Sequence, residues 1–177
     1  LPRRDTDSPL STLYTRLINA LQNRGDVNAY LQMKEAYEQT KTQLADLDIL
    51  ISIKIAQNVC NYLFQMGWDS SSMELKYWVN EVLEGDAFLF GDIISEGEFL
   101  NVALSAAAAG AFEEQIQFMD RYREKLEPKQ REKVCQLSLA YFHFHKNEYE
   151  QTLDILDTHF PAHAQEEYFY TLRVKTL

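Results

Sequence analysis

Apolar residues recur along this chain at helical spacing, in runs that stop at short polar breaks. The stretch Leu139-Ala-Tyr-Phe-His-Phe-His-Lys-Asn-Glu-Tyr-Glu-Gln-Thr-Leu153 holds one such run, its break and the start of the next. Read throughout in this way, the pattern predicts helices over residues 9–24, 27–43, 47–66, 71–84, 96–109, 111–126, 129–145, 148–159 and 164–176. No period-two alternation marks a strand, so the fold class is all-α. Ser8 before Pro9, Ser71 with Glu74, Ser95 with Glu98, and Pro128 supply helix starts, and Pro161 a stop. The segment 85–94 reads either as a loop or as an extra helical turn that carries Phe88, Phe90 and Ile93 into the core.

The breaks themselves repeat. Gly25, Gly67, Gly110 and Asn147 each follow an apolar run, at intervals of 42, 43 and 37 residues, and all four suit the left-handed conformation that ends a helix. Eight residues before these turns stand Leu17, Val59, Val102 and Leu139, and six after them Leu31, Met73, Ile116 and Leu153. Their shared apolarity predicts burial at both offsets. Seven before the turn, Ile18, Cys60, Ala103 and Ala140 are also nonpolar. The chain therefore reads as one repeat domain over residues 1–177, with units at about 9–43, 47–84, 96–126 and 129–160 and a terminal helix at 164–176.

The segments Gly110-Ala-Phe-Glu-Glu-Gln-Ile116 and Asn147-Glu-Tyr-Glu-Gln-Thr-Leu153 resemble the turn and second-helix start of tetratricopeptide repeats, and Gly25-Asp-Val-Asn-Ala-Tyr-Leu31 follows them more loosely. The family commonly has alanine five residues after the turn, where this chain has Tyr30, Ser72, Gln115 and Thr152. The resemblance spans roughly residues 9–160 and implies a right-handed α-α superhelix, a solenoid of stacked hairpins. It further implies that the first helix of each pair lines a concave groove for a peptide or protein segment. The positions facing such a groove include Asn19, Gln22, Asn23, Lys54, Gln57, Asn61, Phe64 and Gln65, then Leu104, Tyr141, Phe144 and His145. Amides that can both donate and accept would orient a peptide backbone, and the apolar end would hold its side chains. The family's carboxylate clamp uses a lysine where Thr15 stands, so that activity is not expected.

Composition narrows the alternatives. With 17 basic against 27 acidic residues the net charge is −10, which argues against a nucleic-acid partner. No apolar run nears the length a membrane helix needs, about 18 residues. Cys60 and Cys135 fit neither a disulfide framework nor a paired metal motif, and as free thiols they favour a reducing, cytoplasmic compartment. The start at Leu1 without methionine reads as processing or excision from a longer chain.

Catalytic chemistry finds no support. His143 and His145 point to opposite sides of a helix, and His159 and His163 bracket Pro161, so neither pair has ligand geometry for a metal. Nucleophile-elbow, phosphate-loop and dinucleotide motifs are missing. The expectation is a noncatalytic interaction module without cofactor. Two other readings stand beside it: a spacer within a longer solenoid, able to self-associate through the last helix, and a small-molecule sensor with Trp68, Trp78 and Phe90 around a cavity.

Overall fold

The computed structural model describes residues 8–85, 92–160 and 176. Eight α-helices run through them: α1 (Pro9–Gln22), α2 (Val27–Thr40), α3 (Asp46–Gln65), α4 (Ser71–Glu84), α5 (Glu96–Ala108), α6 (Phe112–Tyr122), α7 (Pro128–His145) and α8 (Tyr149–His159). Short 3-10 turns at Lys41–Gln43 and Arg123–Lys125 continue α2 and α6. No strand occurs among the described residues. The chain divides into two compact units, Leu1–Phe88 and Leu89–Leu177. Each contains two of the expected hairpins; the expected helix at 164–176 falls outside the described residues, apart from Thr176.

In the first unit α1 packs on α2, α3 packs on α4, and α3 also contacts α1 and α2. In the second, α5 packs on both α6 and α7, and α7 on α8. Leu13, Leu17, Ala20, Tyr30, Ile53, Ala56, Leu63, Leu75, Trp78 and Val79 form the buried interior of the first unit. Phe99, Val102, Ala103, Ala106, Phe118, Val134 and Ala140 do so in the second.

Three of the four turns share one backbone device. Gly67, Gly110 and Asn147 have φ of 81°, 70° and 61°. At each, the amide after the turn residue bonds back across the helix end: Trp68 to the Leu63 carbonyl, Ala111 to Ala106 and Glu148 to His143, at 2.9–3.0 Å. The turn amide bonds to the carbonyl three before it. This pairing satisfies the last helix carbonyls, and the positive φ it requires is why glycine or asparagine stands there.

Gly25 is different: its φ is not positive, and α1 ends instead through the Asn23 amide on the Asn19 carbonyl, with Asp26 capping α2 by accepting from the Asn28 amide at 2.8 Å. The first helix, α1, is consequently out of step by one residue. Counted from Arg24, Leu13, Leu17 and Ala20 fall on the offsets of the buried Ala56, Cys60 and Leu63 in α3. That displacement corrects the expectation for Ile18, which lies outside with 53% exposure while Cys60, Ala103 and Ala140 are buried.

The expected burial six residues after the turn also fails. Leu31 and Met73 are exposed, and Ile116 and Leu153 only partly covered. The inward position is five after the turn, where Tyr30, Gln115 and Thr152 are wholly buried. Thr152 Oγ1 donates to the Ala140 carbonyl at 3.5 Å and the Glu148 carbonyl at 3.1 Å, and Gln115 Nε2 donates to the Ser138 carbonyl at 2.9 Å. The second hairpin has a longer turn, and α4 starts only at Ser71.

Caps divide in the same way. Ser8 accepts from the Ser11 amide, and Ser95 with Glu98 forms the expected reciprocal box. Ser71 and Glu74 do not: the Ser71 hydroxyl donates to the Trp68 carbonyl, and Glu74 is taken by α2. Ile93, which the helical-turn reading of 85–94 would put in the core, is 66% exposed, and its neighbour Ile94 is buried instead, with its amide on the Lys125 carbonyl at 3.0 Å. Phe88 and Phe90 lie outside the described residues.

Candidate binding face

The second helices of the first unit are tied together by a polar seam. Tyr30 of α2 donates to Glu74 Oε2 of α4 at 2.6 Å, and Lys34 meets the same oxygen at 2.6 Å. Seven residues on, Tyr37 donates to Glu81 Oε2 at 2.7 Å, and Lys41 reaches Glu81 Oε1 at 3.1 Å. Between the rungs Tyr77 donates to Glu38, and the Lys34 ammonium sits 4.0 Å from the Tyr77 ring centroid. The buried Trp78 Nε1 donates to the Tyr30 oxygen at 2.8 Å.

Burial and the adjacent carboxylates push both tyrosines above their ordinary range, since ionisation would place a second negative charge beside Glu74 or Glu81. Burial pulls Lys41 down, but its bonds to Glu81 and Glu38 more than offset this and leave it raised. Burial also pushes the Cys60 thiol up to about 12. Trp68 and Trp78 belong to this packing: their rings contact Tyr30 at 5.5 Å and Tyr37 at 5.1 Å.

Exposed amides occur on α2 as well, at Asn28, Gln32 and Gln39, but those of the expected groove lie on the first helices. Asn19 is half-buried, and Gln22 and Asn23 are exposed at the end of α1. Asn23 Nδ2 donates to both the Asn19 carbonyl and Asn19 Oδ1 at 3.0 Å. On α3, Lys54 and Asn61 are half-buried, while Phe64 and Gln65 are exposed. Gln57 stands apart from these residues: it is completely buried and belongs to the interior of the unit. Thr15 is exposed and donates to the Ser11 carbonyl.

The remaining four residues lie in the second unit. Leu137, Ala140, Leu156 and Phe160 form a buried cluster, and Leu100, Tyr141, Phe144 and Ile155 pack on it partly covered. His145 stacks on Tyr141 at 6.5 Å and meets the Phe144 ring edge-on at 5.3 Å. Leu104 is half-buried; in the alanine run, Ala106 and Ala107 are buried and Ala108 and Ala109 half-buried, as close helix packing requires. Tyr141, Phe144 and His145 are thus brought together as one aromatic surface. Beside it His143 Nδ1 lies 2.7 Å from Glu148 Oε2 and Lys146 Nζ 2.9 Å from Oε1, and these contacts, Lys146 foremost, hold the Glu148 carboxyl below its ordinary value.

One feature of the face was missing from the sequence reading. An open depression of about 510 Å³ lies at the α1–α2 turn, lined by Leu21, Gln22, Asn23, Arg24, Gly25, Asp26 and Tyr62. Nothing in the local sequence joins Tyr62 to Arg24, because their meeting depends on how α3 packs against α1.

Among the described residues no group of three or more His, Cys, Asp or Glu could hold a metal ion. No helix among them is long and apolar enough to cross a membrane. No protein-family model, curated protein or solved structure matches this chain.

Proposed function

We propose that this chain is a noncatalytic interaction module, a tetratricopeptide-like solenoid of helical hairpins that binds an extended protein segment along its first helices. One contrast carries the reading. In the first unit α2 and α4 bond to each other through Tyr30, Tyr37, Glu74 and Glu81, while Gln22 and Asn23 at the end of α1 and Gln65 at the end of α3 are exposed, with Asn19 and Asn61 half-buried one turn before them. Amides at a surface suit the alternating donors and acceptors of a peptide backbone. In the second unit the partly covered Tyr141 and Phe144, flanked by His145, form a surface that suits apolar side chains.

Affinity capture from native extract tests this. Wild-type protein is compared with Asn61→Ala and Tyr141→Ala, each first shown by circular dichroism to be folded. The expected result is a partner retained by the wild type and lost or depleted in both variants. Equal retention by all three proteins sinks the reading.

A further inference from the structure

Arg24 is a cation with an aromatic contact and no anion. Its guanidinium carbon lies 5.9 Å from the Tyr62 ring centroid. Lys34, Lys41, Lys125, Arg131 and Lys146 each meet a carboxylate, but none among the described residues pairs with Arg24. Arg16 likewise meets no carboxylate, but its guanidinium is held by the Gln32 side-chain oxygen at 2.6 Å, whereas Arg24 opens onto the depression. Asp26 shares the wall of the depression, yet its Oδ1 accepts the Asn28 amide, and its charge faces the positive end of α2. The amides of Gln22 and Asn23 complete the polar lining.

Two exposed apolar residues lie within a turn of the lining by helical spacing: Ile18, four residues before Gln22 on α1, and Met66, just past the end of α3 and four residues after Tyr62. They are 53% and 67% exposed. Methionine adapts its shape to whatever apolar group it meets.

We infer that this depression seats an acidic side chain of the protein partner, with the partner's adjacent apolar residue lying on Ile18 or Met66. The inference rests on the peptide-binding reading above and adds where on the face the partner is fixed, and by which chemistry. A guanidinium presents paired N–H donors that match the two oxygens of a carboxylate, and the Tyr62 ring limits its freedom. A doubly charged phosphate fits less well, because a single cation lines the depression and Asp26 adds a negative charge to its wall.

The test is a nuclear magnetic resonance titration of the full chain with two ten-residue peptides. Each is acetylated and amidated, with Leu-Glu-Leu or Leu-Gln-Leu at its centre and glycine and serine flanks. The glutamate peptide is expected to shift the Arg24, Gly25 and Asp26 amides and to bind about fivefold more tightly than its glutamine twin, as a partly exposed ion pair does. Arg24→Gln removes that preference, and Lys76→Gln on α4 retains it.

Equal binding of the two peptides, or a preference that survives Arg24→Gln, overturns the inference. If Asn61→Ala then weakens both peptides alike, the amide-face reading stands without it. The inference also fails if neither peptide shifts these amides, or if inorganic phosphate shifts them at lower concentration than the glutamate peptide. In those cases the capture experiment still decides the broader reading.

Discussion

Tyr30 and Glu74 lie 44 residues apart in sequence and 2.6 Å apart in space, and Tyr37 and Glu81 repeat both relationships at 44 residues and 2.7 Å. The first rung is the more demanding, because the Tyr30 oxygen also accepts from the buried Trp78 Nε1. Removing that oxygen leaves the buried Trp78 N–H unmet and takes one of two donors from Glu74 Oε2. Tyr30→Phe is therefore expected to destabilise the fold by about 1–3 kcal/mol, and Tyr37→Phe, which takes a donor from Glu81 without stranding a buried N–H, by about half as much. Urea unfolding of the two variants checks the order; a larger loss in Tyr37→Phe contradicts it.

The same tyrosines set an alkaline limit. Both are raised in the folded state above the ordinary value of 10.0, so above pH 10 the unfolded chain loses protons that the native state keeps. Their contribution is fully present below pH 10 and declines as pH rises beyond it. Lys41, raised above 10.5, acts in the same direction. Stability is expected to fall by up to about 1.4 kcal/mol per pH unit for each proton involved. The Tyr30→Phe, Tyr37→Phe double variant should show a shallower slope between pH 10 and 11 in equilibrium unfolding.

Glycines at equivalent places in the sequence should respond differently to substitution. Gly67→Ala and Gly110→Ala force alanine into the left-handed region, at an expected cost of about 1–2 kcal/mol, although a Cβ meets nothing within 4 Å at either site. Gly25→Ala should change stability by less than about 0.5 kcal/mol, since its Cβ makes only an ordinary contact of 3.7 Å with Tyr62. Thermal melting of the three variants distinguishes conformation from crowding as the cause.

Gln115 tests the inward position five residues after the turn. It is wholly buried, and its Nε2 bonds to the Ser138 carbonyl. Gln115→Ala leaves a cavity and takes a second donor from the Ser138 carbonyl inside α7, for an expected loss of about 2–4 kcal/mol. The exposed neighbour Gln117→Ala should stay within about 0.5 kcal/mol. Comparable losses in the two variants contradict this assignment.

Helix positions were legible because local signals set them: Ser8, Ser95, Pro128 and the turn residues at 67, 110 and 147 act within a few residues of themselves. The exceptions had nonlocal causes. Glu74 has the spacing of a capping residue, but a charged bond to Lys34 and a second from Tyr30 claim it. Ile18 matches its counterparts in hydrophobicity, and only the one-residue displacement of α1 turns it outward. Gln57 looks like a surface amide by residue type, and the packing of α3 encloses it. The amide positions expected on α1 and α3 came from the family resemblance together with helical spacing, and the structure leaves Gln22, Asn23 and Gln65 exposed and Gln57 inside. The Arg24–Tyr62 contact required knowing which helices are neighbours.

The seam between α2 and α4 also behaves as a vernier with one stop. Its tyrosines, lysines and glutamates all repeat after seven residues, about 10.5 Å along a helix. A slip of one turn puts every rung out of register at once. A slip of two turns restores one rung but carries Trp78 away from Tyr30 and leaves the end residues facing nothing. The two helices therefore have a single alignment in which all the marks coincide, and no partial slide between them gains anything. An all-or-none ruler of this kind gives α1 and α3 a fixed base from which to hold their amides at constant spacing.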